Sequence, residues 1–271
     1  MAVLVRSWNL FHGNTVPPGR QDRLEEMIRL AAADEPAVLC LQEIPVWALE
    51  RLDEWSGMAA WGVAAAPPRL GPLPSTAEVG RAITELGHGR SRSAFTGQAN
   101  AILVSARLRT HDRHTLVLNS VDFRRRQANW LGLPLVARLA WAKERRVCQA
   151  VRVALPRGGA MLVANLHATS YRPDERLADA ELLRAAVFAD ALARPEETCV
   201  LAGDFNVKAE RSWTLGDLTG PDWGFSAPGP WLDHVLVRGA AVSATVRWPD
   251  ERRRRGELLL SDHAPVEVEV G

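Results

Sequence analysis

CVLAGDFN, residues 199–206, is an apolar, strand-like run that ends in polar side chains. Gly203 permits a sharp exit from the strand, and Asp204 and Asn206 lie two positions apart. Residues at this spacing point the same way if the backbone remains extended, so we expect both to face one site. A plain Asx turn is the alternative interpretation of the same residues.

Five further segments of this kind are spread over the chain. Together with GDFN (203–206) they are SWN (7–9), LQE (41–43), NLH (165–167), WLDH (231–234) and SDH (261–263). The polar residues that they supply are, in order, Asn9, Glu43, His167, Asp204, Asn206, Asp233, Asp262 and His263. This set of carboxylates, amides and imidazoles suits one divalent cation and one phosphate.

Predicted strands alternate with predicted helices between these segments, which favours a layered α/β architecture. The segment at 21–34 places Leu24, Met27, Ile28 and Ala31 on one helical face. We predict the other helices at 45–57 and 174–193, and the strands at 2–11, 37–43, 60–66, 99–105, 145–155, 161–167, 198–203, 232–237, 241–247 and 265–270.

Two stretches, 67–98 and 106–146, show no pattern typical of helices or strands and are predicted to be substrate loops. The four arginines at 252–255 are predicted to lie in an exposed loop, and Trp130 is predicted to be a buried core residue. Cys40, Cys148 and Cys199 lie inside apolar runs at no metal-like spacing, so we expect reduced core residues.

Length and composition indicate one soluble domain over residues 1–271. The chain shows no flexible linker, and 47% of its residues are hydrophobic. Its first residues carry no basic region of a signal peptide and reach a charge at Arg6. No apolar run approaches the roughly 18 to 20 residues that cross a bilayer. We therefore expect no transmembrane segment and a cytoplasmic location.

From Asn9 to His263, the residues of these segments and their order along the chain resemble those of the endonuclease/exonuclease/phosphatase superfamily. The resemblance implies a deoxyribonuclease I-like fold, which is a four-layer sandwich of two mixed β-sheets flanked by helices. The motif residues would then meet at one end of the sandwich. It also implies hydrolysis of a phosphoric ester with a divalent cation, Mg²⁺ or Mn²⁺, as the cofactor.

The carboxylates and amides of the motifs are expected to bind the cation, the attacking water and the phosphate. Mg²⁺ prefers hard oxygen ligands, and Glu43 is the best candidate ligand, with Asn9 and Asp262 as further ligands. By resemblance, Asn9 offers either an amide oxygen to the metal or a donor to phosphate, and a turn residue is the alternative interpretation. The alternative for Glu43 is that it begins or caps the helix after Pro45. By resemblance, Asp204 orients or deprotonates the attacking water, and Asn206 holds phosphate or water.

The imidazoles are expected to contact phosphate. His167 as an imidazolium donates to a phosphate oxygen as charge develops in the transition state. By resemblance, His263 contacts phosphate or acts as a base, with Asp262 supporting the site. Asp233 is expected to hold an imidazole in its productive tautomer, and its partner is either His167 or His263.

The chain departs from the family pattern at positions that limit which substrates are expected. Phe11 stands where several DNA-repair relatives carry an acid two positions after the motif Asn, so one metal ligand is missing. His234 stands where many relatives have Tyr, and Tyr171 is the only tyrosine of the chain. The missing tyrosine-based phosphate contact disfavours an abasic-site nuclease.

Charge is distributed unevenly along the chain, although the net charge is only +1. Residues 81–146 contain 13 Arg or Lys against 4 Asp or Glu. This asymmetry suits a polyanionic substrate, with Arg90, Arg92, Arg124, Arg125 and Arg126 as candidate substrate contacts, while a solvated arginine-rich surface is the alternative.

The favoured function is a nuclease acting on DNA or RNA. A phospholipid or small-molecule phosphodiesterase or phosphatase is the first alternative, and a non-catalytic binding module on the same fold is the second.

Overall fold

Two mixed β-sheets form the centre of the molecule in the computed structural model, which describes residues 2–19, 21–70, 73–76, 78, 79, 82, 95–156 and 158–271. The strands are β1 (Val3–Asn9), β2 (Thr15–Val16), β3 (Val38–Ile44), β4 (Met58–Ala66), β5 (Arg69–Leu70), β6 (Leu73–Pro74), β7 (Gln98–Ser105), β8 (Thr110–Val117), β9 (Val147–Ala154), β10 (Ala160–His167), β11 (Thr198–Asp204), β12 (Asp233–Arg238), β13 (Val246–Arg247), β14 (Arg254–Arg255), β15 (Leu258–Leu260) and β16 (Val266–Val270). The described α-helices are α1 (Leu24–Ala32), α2 (Leu52–Ser56), α3 (Val121–Trp130), α4 (Leu135–Lys143), α5 (Arg176–Leu192) and α6 (Trp213–Leu218). Short 3-10 turns occupy Phe11–Gly13, Val46–Arg51 and Asp250–Arg253.

The two sheets pack face to face and carry helices on their outer faces. The six-stranded sheet has the order β13-β16-β1-β3-β7-β4, and the five-stranded sheet has the order β12-β11-β10-β9-β8. Helices α1 and α2 pack on the outer face of the first sheet, and α5 and α6 pack on the outer face of the second. The predicted four-layer sandwich is therefore confirmed.

Alternating apolar residues fill both faces of each central strand. In β10, Val163 packs between the sheets, while Leu162 and Ala164 pack toward the helices of the outer layer. A strand that is buried on both faces requires a continuous apolar run, which explains the runs that end in the polar motifs. The predicted apolar face of α1 is also buried as expected.

Strand pairing brings the motif residues to one end of the sandwich. In the first sheet β1 and β3 are parallel with Asn9 opposite Gln42, so Asn9 and Glu43 emerge side by side. In the second sheet β10 and β11 are parallel with His167 opposite Asp204, and Asp204 faces Asp233 of the antiparallel β12. The motif residues at the strand ends of the two sheets thus lie at the same end of the sandwich.

Several local predictions were wrong. Residues 106–146 are not irregular, because they form β8, α3 and α4, and the strand predicted at 241–247 is reduced to β13. Trp130 is 81% exposed rather than buried. Arg253 is buried rather than part of an exposed loop, since it donates to the carbonyls of Leu260, Ser261 and His263.

Other expectations agree with the structure. Cys40, Cys148 and Cys199 are buried and free of disulfide bonds, and burial raises the pKa of the Cys199 thiol to about 11. Among the described residues, no helix has the length and apolar character needed to cross a membrane.

Candidate active site

Asn9 links the carboxylates that come from the two sheets. Its side-chain nitrogen donates to Glu43 Oε1 at 3.2 Å and to Asp204 Oδ2 at 2.9 Å. The Phe11 N–H donates to Asn9 Oδ1 at 3.0 Å, which determines that the amide nitrogen faces the carboxylates. Asn9 is fully buried, so this contact joins the two sheets at the floor of the site. Its predicted role as a metal ligand stays a prediction.

Glu43 lies near the end of β3 in a left-handed backbone conformation, with φ of 52°. Such a conformation is costly for a non-glycine residue and persists only where the surrounding structure enforces it. One carboxylate oxygen lies 3.3 Å from His12 Nε2, and the other lies 3.7 Å from His167 Nε2. The side chain retains 20% exposure, so its carboxylate remains accessible from the site.

His12 was not among the site residues predicted from the sequence. It is 3% exposed and also has a positive φ of 54°, and its Nδ1 has no hydrogen-bond partner among the residues that the structure describes. Burial lowers the pKa of His12, although the Glu43 carboxylate opposes that shift. One feature of the sequence could have identified His12: it follows Phe11, the position at which several relatives carry an acid.

His167 is surrounded by hydrogen-bond donors. Gln98 Nε2 lies 2.6 Å and Arg146 Nη1 lies 3.1 Å from His167 Nδ1. Arg146 Nη1 also lies 3.3 Å from Nε2, but its shorter contact is with Nδ1, which Gln98 contacts as well. Arginine has no acceptor atoms, so we assign Nδ1 as the acceptor and place the proton on Nε2. Nε2 points toward Asp204 Oδ2, at 3.5 Å.

The protonation state of His167 differs from the expectation. Burial and the Arg146 guanidinium hold the pKa of His167 well below its usual value, so the imidazole is neutral at pH 7. The predicted imidazolium donor is therefore corrected to a neutral Nε2–H donor. Gln98 and Arg146 carry no sequence motif that marked them for this contact.

Asp204 is buried at the centre of the site. Burial raises its pKa to about 7, with Asp233 and Glu43 adding to the shift while His263 and Asn9 oppose it. Gly203 precedes it with φ of 140°, and a Cβ there would lie 1.9 Å from the Leu166 carbonyl oxygen. Only glycine therefore fits between this strand end and its neighbour.

Asn206 adopts the Asx-type turn that was the alternative to an extended backbone. Its φ is 52°, so the backbone is not extended, and its N–H donates to Asp204 Oδ1 at 3.1 Å in an Asx-type turn. Its side-chain nitrogen donates to the Ala168 carbonyl at 3.0 Å. The turn holds Asp204 in place, and Asn206 still lines the site.

Asp233 pairs with His263 rather than with His167. Asp233 Oδ2 lies 2.8 Å from His263 Nδ1, and His263 Nε2 lies 3.8 Å from Asp204 Oδ2. Burial opposes a charge on His263, but the Asp233 and Asp204 carboxylates outweigh it and raise the pKa to about 11. His263 is therefore an imidazolium at neutral pH. Trp8 Nε1 also donates to its carbonyl, at 2.9 Å.

The donor atoms of Asp204, Asp233 and His263 lie within 4.8 Å of one another, which is a spacing that suits a cation. His263 Nδ1, however, already contacts Asp233 Oδ2 at 2.8 Å, so the pair is occupied with each other. We therefore interpret this trio as a hydrogen-bonded chain. Glu43 and Asp262, both reachable from the cavity, are better oxygen ligands for a hard cation.

A cavity of about 510 Å³ opens above these groups. Glu43, His167, Asp204, Asp262 and His263 line its inner part. The other described lining residues are Phe11, Ser170, Tyr171, Arg172, Glu175, Asn206, Lys208, Arg211 and Leu232. Cations and the only tyrosine of the chain thus line the wall, and no sequence motif had marked Arg172, Lys208 or Arg211.

A family model described as the Endonuclease/Exonuclease/phosphatase family matches residues 7–263. The chain belongs to this family. The match covers all six motif segments and confirms the resemblance found in the sequence. Endonuclease/exonuclease/phosphatase proteins are generally hydrolytic enzymes. No curated protein matched the chain.

Solved structures similar to this endonuclease/exonuclease/phosphatase protein share its fold over nearly their full length. The protein of this family from Bacteroides vulgatus has a TM-score of 0.66 at 14% identity, covering 100% of this chain and 99% of that one. The human Nocturnin catalytic domain with bound sulfate anion has a TM-score of 0.65 at 14% identity, covering 100% and 93%. Truncated TDP2 from Caenorhabditis elegans has a TM-score of 0.62 at 15% identity, covering 100% and 98%.

Three of the five arginines predicted to bind substrate, Arg124, Arg125 and Arg126, do not line the described part of the cavity. Arg90 and Arg92 lie outside the described residues. Arg124, Arg125 and Arg126 lie on α3, and none of them is among the described lining residues. Arg125 and Arg126 are exposed, so their contact with a long substrate stays a prediction for this endonuclease/exonuclease/phosphatase protein.

Proposed function

We propose that this protein is a divalent-metal-dependent phosphodiesterase that cleaves DNA or RNA by in-line attack of water on phosphorus. The observation that carries the proposal is the convergence of Glu43, Asp204 and the Asp233–His263 pair at the inner end of one cavity with cations in its wall. The proposal includes a single domain over residues 1–271 that acts in the cytoplasm. A non-catalytic module is disfavoured because none of these chemical groups has been lost.

The oxygen donors at the inner end of the cavity fit Mg²⁺ or Mn²⁺. Glu43 would hold the ion, with Asp262 as a second carboxylate and Asn9 as the amide beside them. The Asn9 nitrogen and His12 each contact one Glu43 oxygen, so the carboxylate is held in one orientation. When bound, the ion would neutralise charge on a nonbridging phosphate oxygen.

The chain's own residues supply the proton transfer. Asp204 is buried with a pKa of about 7, so near neutral pH it accepts a proton readily from an attacking water. Asn9 and the Asn206 N–H donate to its two oxygens and orient it. The burial of Asp204 and its raised pKa support the proposed role.

Two imidazoles donate hydrogen bonds in different charge states. His263 is charged and is held by Asp233, so it stabilises negative charge that develops on phosphate oxygens. His167 is neutral and directs its Nε2–H toward the same region. Both donors are held in place before the substrate arrives, which limits the reorganisation that the reaction requires.

Nucleic acid is preferred over a small phosphoester because cations extend beyond the reacting centre. Arg172 and Lys208 line the cavity wall and have no acidic partner among the described residues, while Arg211 contacts Glu175 at 3.2 Å. A substrate with one phosphate leaves these cations without a counter-charge. A polynucleotide places further phosphates beside them.

The proposed function is tested by assaying purified protein against single- and double-stranded DNA, RNA, a phospholipid and an aryl phosphodiester, with Mg²⁺ or Mn²⁺. We expect turnover of at least one nucleic acid and complete inhibition by EDTA that is reversed by added metal. Wild-type activity that survives EDTA would exclude the metal mechanism. Efficient turnover of the lipid with none of the nucleic acids would favour the alternative substrate class.

The salt dependence of oligonucleotide affinity is expected to show whether substrate contacts the cations of the cavity wall or the arginines of α3. Replacing Arg172 and Lys208 together with Ala should flatten the slope of log affinity against log salt by roughly 0.7 to 0.9 for each phosphate that these side chains neutralise. The matched variant replaces Arg124, Arg125 and Arg126 with Ala. If only this variant flattens the slope, substrate lies along α3 and the cavity wall is not its path. An oligonucleotide affinity that is independent of salt contradicts both assignments.

A further inference from the structure

Trp213 is the most exposed large apolar side chain among the described residues, with 87% of its surface accessible. It lines a cleft of about 330 Å³ together with Arg172, Pro173 and Arg211. This cleft and the active-site cavity share Arg172, Glu175 and Arg211 as lining residues. The tryptophan therefore lies in a cleft that adjoins the active-site cavity on the side of Arg172 and Arg211.

The neighbours of Trp213 on both sides are fixed to the body of the protein. Ser212 accepts a hydrogen bond from the Leu215 N–H at 2.9 Å and donates to Asp179 of α5. Thr214 donates to the other Asp179 oxygen at 3.0 Å, and both Ser212 and Thr214 are buried. The backbone is thus held so that the indole between them projects into solvent. The exposure is built into the fold and does not reflect a loose loop end.

An exposed indole in this setting suits one kind of ligand. Every nucleobase has a flat face that stacks on an aromatic ring without a sequence requirement, and stacking platforms beside cationic grooves bind single-stranded nucleic acid. Arg172 is exposed and has no described acidic partner, so it is available to a phosphate beside the stacked base. In a duplex the base faces are already covered by their neighbours.

We propose that Trp213 and Arg172 form a subsite that stacks an unpaired base of single-stranded nucleic acid while the scissile phosphate lies at Asp204 and His263. The proposal rests on the proposed function, since it names the strand state that the same site prefers. Trp213 would contribute to substrate binding and not to the chemical step.

The matched variants are Trp213→Ala, Trp213→Phe and Trp130→Ala. Trp130 is 81% exposed on α3 but lines neither the cavity nor the cleft, so it controls for the loss of a surface indole. We expect Trp213→Ala to raise KM for a single-stranded oligonucleotide by at least about fivefold. It should leave kcat and the turnover of an aryl phosphodiester unchanged. Trp213→Phe should restore most of the affinity, and Trp130→Ala should behave as wild type.

The outcomes separate the subsite from the proposed function. If wild-type protein cleaves no nucleic acid, the proposed function fails. If wild-type protein cleaves single strands but Trp213→Ala and Trp130→Ala have the same KM, the subsite assignment is wrong. An equal rise in KM for single strands and blunt duplexes would also overturn it, because stacking on an unpaired base predicts a larger effect on single strands. Circular dichroism of each variant establishes that the fold is retained.

Discussion

Glu43→Gln is expected to lower kcat by about three orders of magnitude, because the amide removes the charge on the carboxylate best placed to bind the cation. Lewis-acid stabilisation by a bound metal is worth several kcal/mol, and each ~1.36 kcal/mol corresponds to a tenfold change in rate. The substitution keeps the shape of the side chain that contacts Asn9 and His12. Steady-state kinetics and calorimetric titration with Mn²⁺ measure the effect, with weaker metal binding expected alongside the loss of rate.

The control is Glu25→Gln, which makes the same chemical change on the exposed face of α1. It should leave both kcat and metal binding unchanged. Partial rescue of Glu43→Gln by Mn²⁺ would agree with a weakened site. An active Glu43→Gln enzyme with wild-type metal affinity would move the metal site to other carboxylates, of which Asp262 is the first candidate.

His263→Ala is expected to lower kcat by a factor on the order of 10² to 10³, the scale for loss of an electrostatic donor in an active site. His263 is held at 2.8 Å by Asp233, and its raised pKa keeps it charged. His167→Ala should lower kcat by a factor on the order of 10², because it removes a neutral donor. The two effects need not add, since both groups act on one phosphate. Single-turnover kinetics at saturating substrate measure the chemical step.

Removing His263 also leaves the buried Asp233 carboxylate without its partner, so the stability of the variant must be measured. Asp233→Asn keeps the imidazole but removes the charge that holds it, and we expect a lower kcat in a folded protein. His114→Ala on the exposed face of β8 is the matched control and should have wild-type kinetics. Near-wild-type kcat in His263→Ala would show that this histidine has a structural role only.

The amino-acid sequence by itself determined the architecture and the identity of the residues at the inner end of the cavity. The motif side chains lie at or next to the ends of apolar runs, so the positions of Asn9, Glu43, His167 and Asp204 can be predicted from local pattern. The four-layer arrangement of two mixed sheets flanked by helices then follows from the family resemblance, and the strand order was given by the structure. The helix at α5 was equally predictable, because its apolar periodicity is long.

Pattern reasoning failed where a residue's environment is made by distant segments. Trp130 and Trp213 are exposed while Arg253 is buried, and no local periodicity separates these cases. Arg253 is buried because three carbonyls around the SDH segment satisfy its donors.

Only the tertiary structure decided the charge states of the site and the extent of its cationic wall. Asp233 contacts His263, and Arg146 contacts His167, across separations of 30 and 21 residues that a local pattern does not encode. The two histidines therefore receive opposite pKa shifts from their neighbours, although each ends a similar motif. A pKa depends on burial and on charges within a few ångströms. Those quantities exist only once the chain has folded.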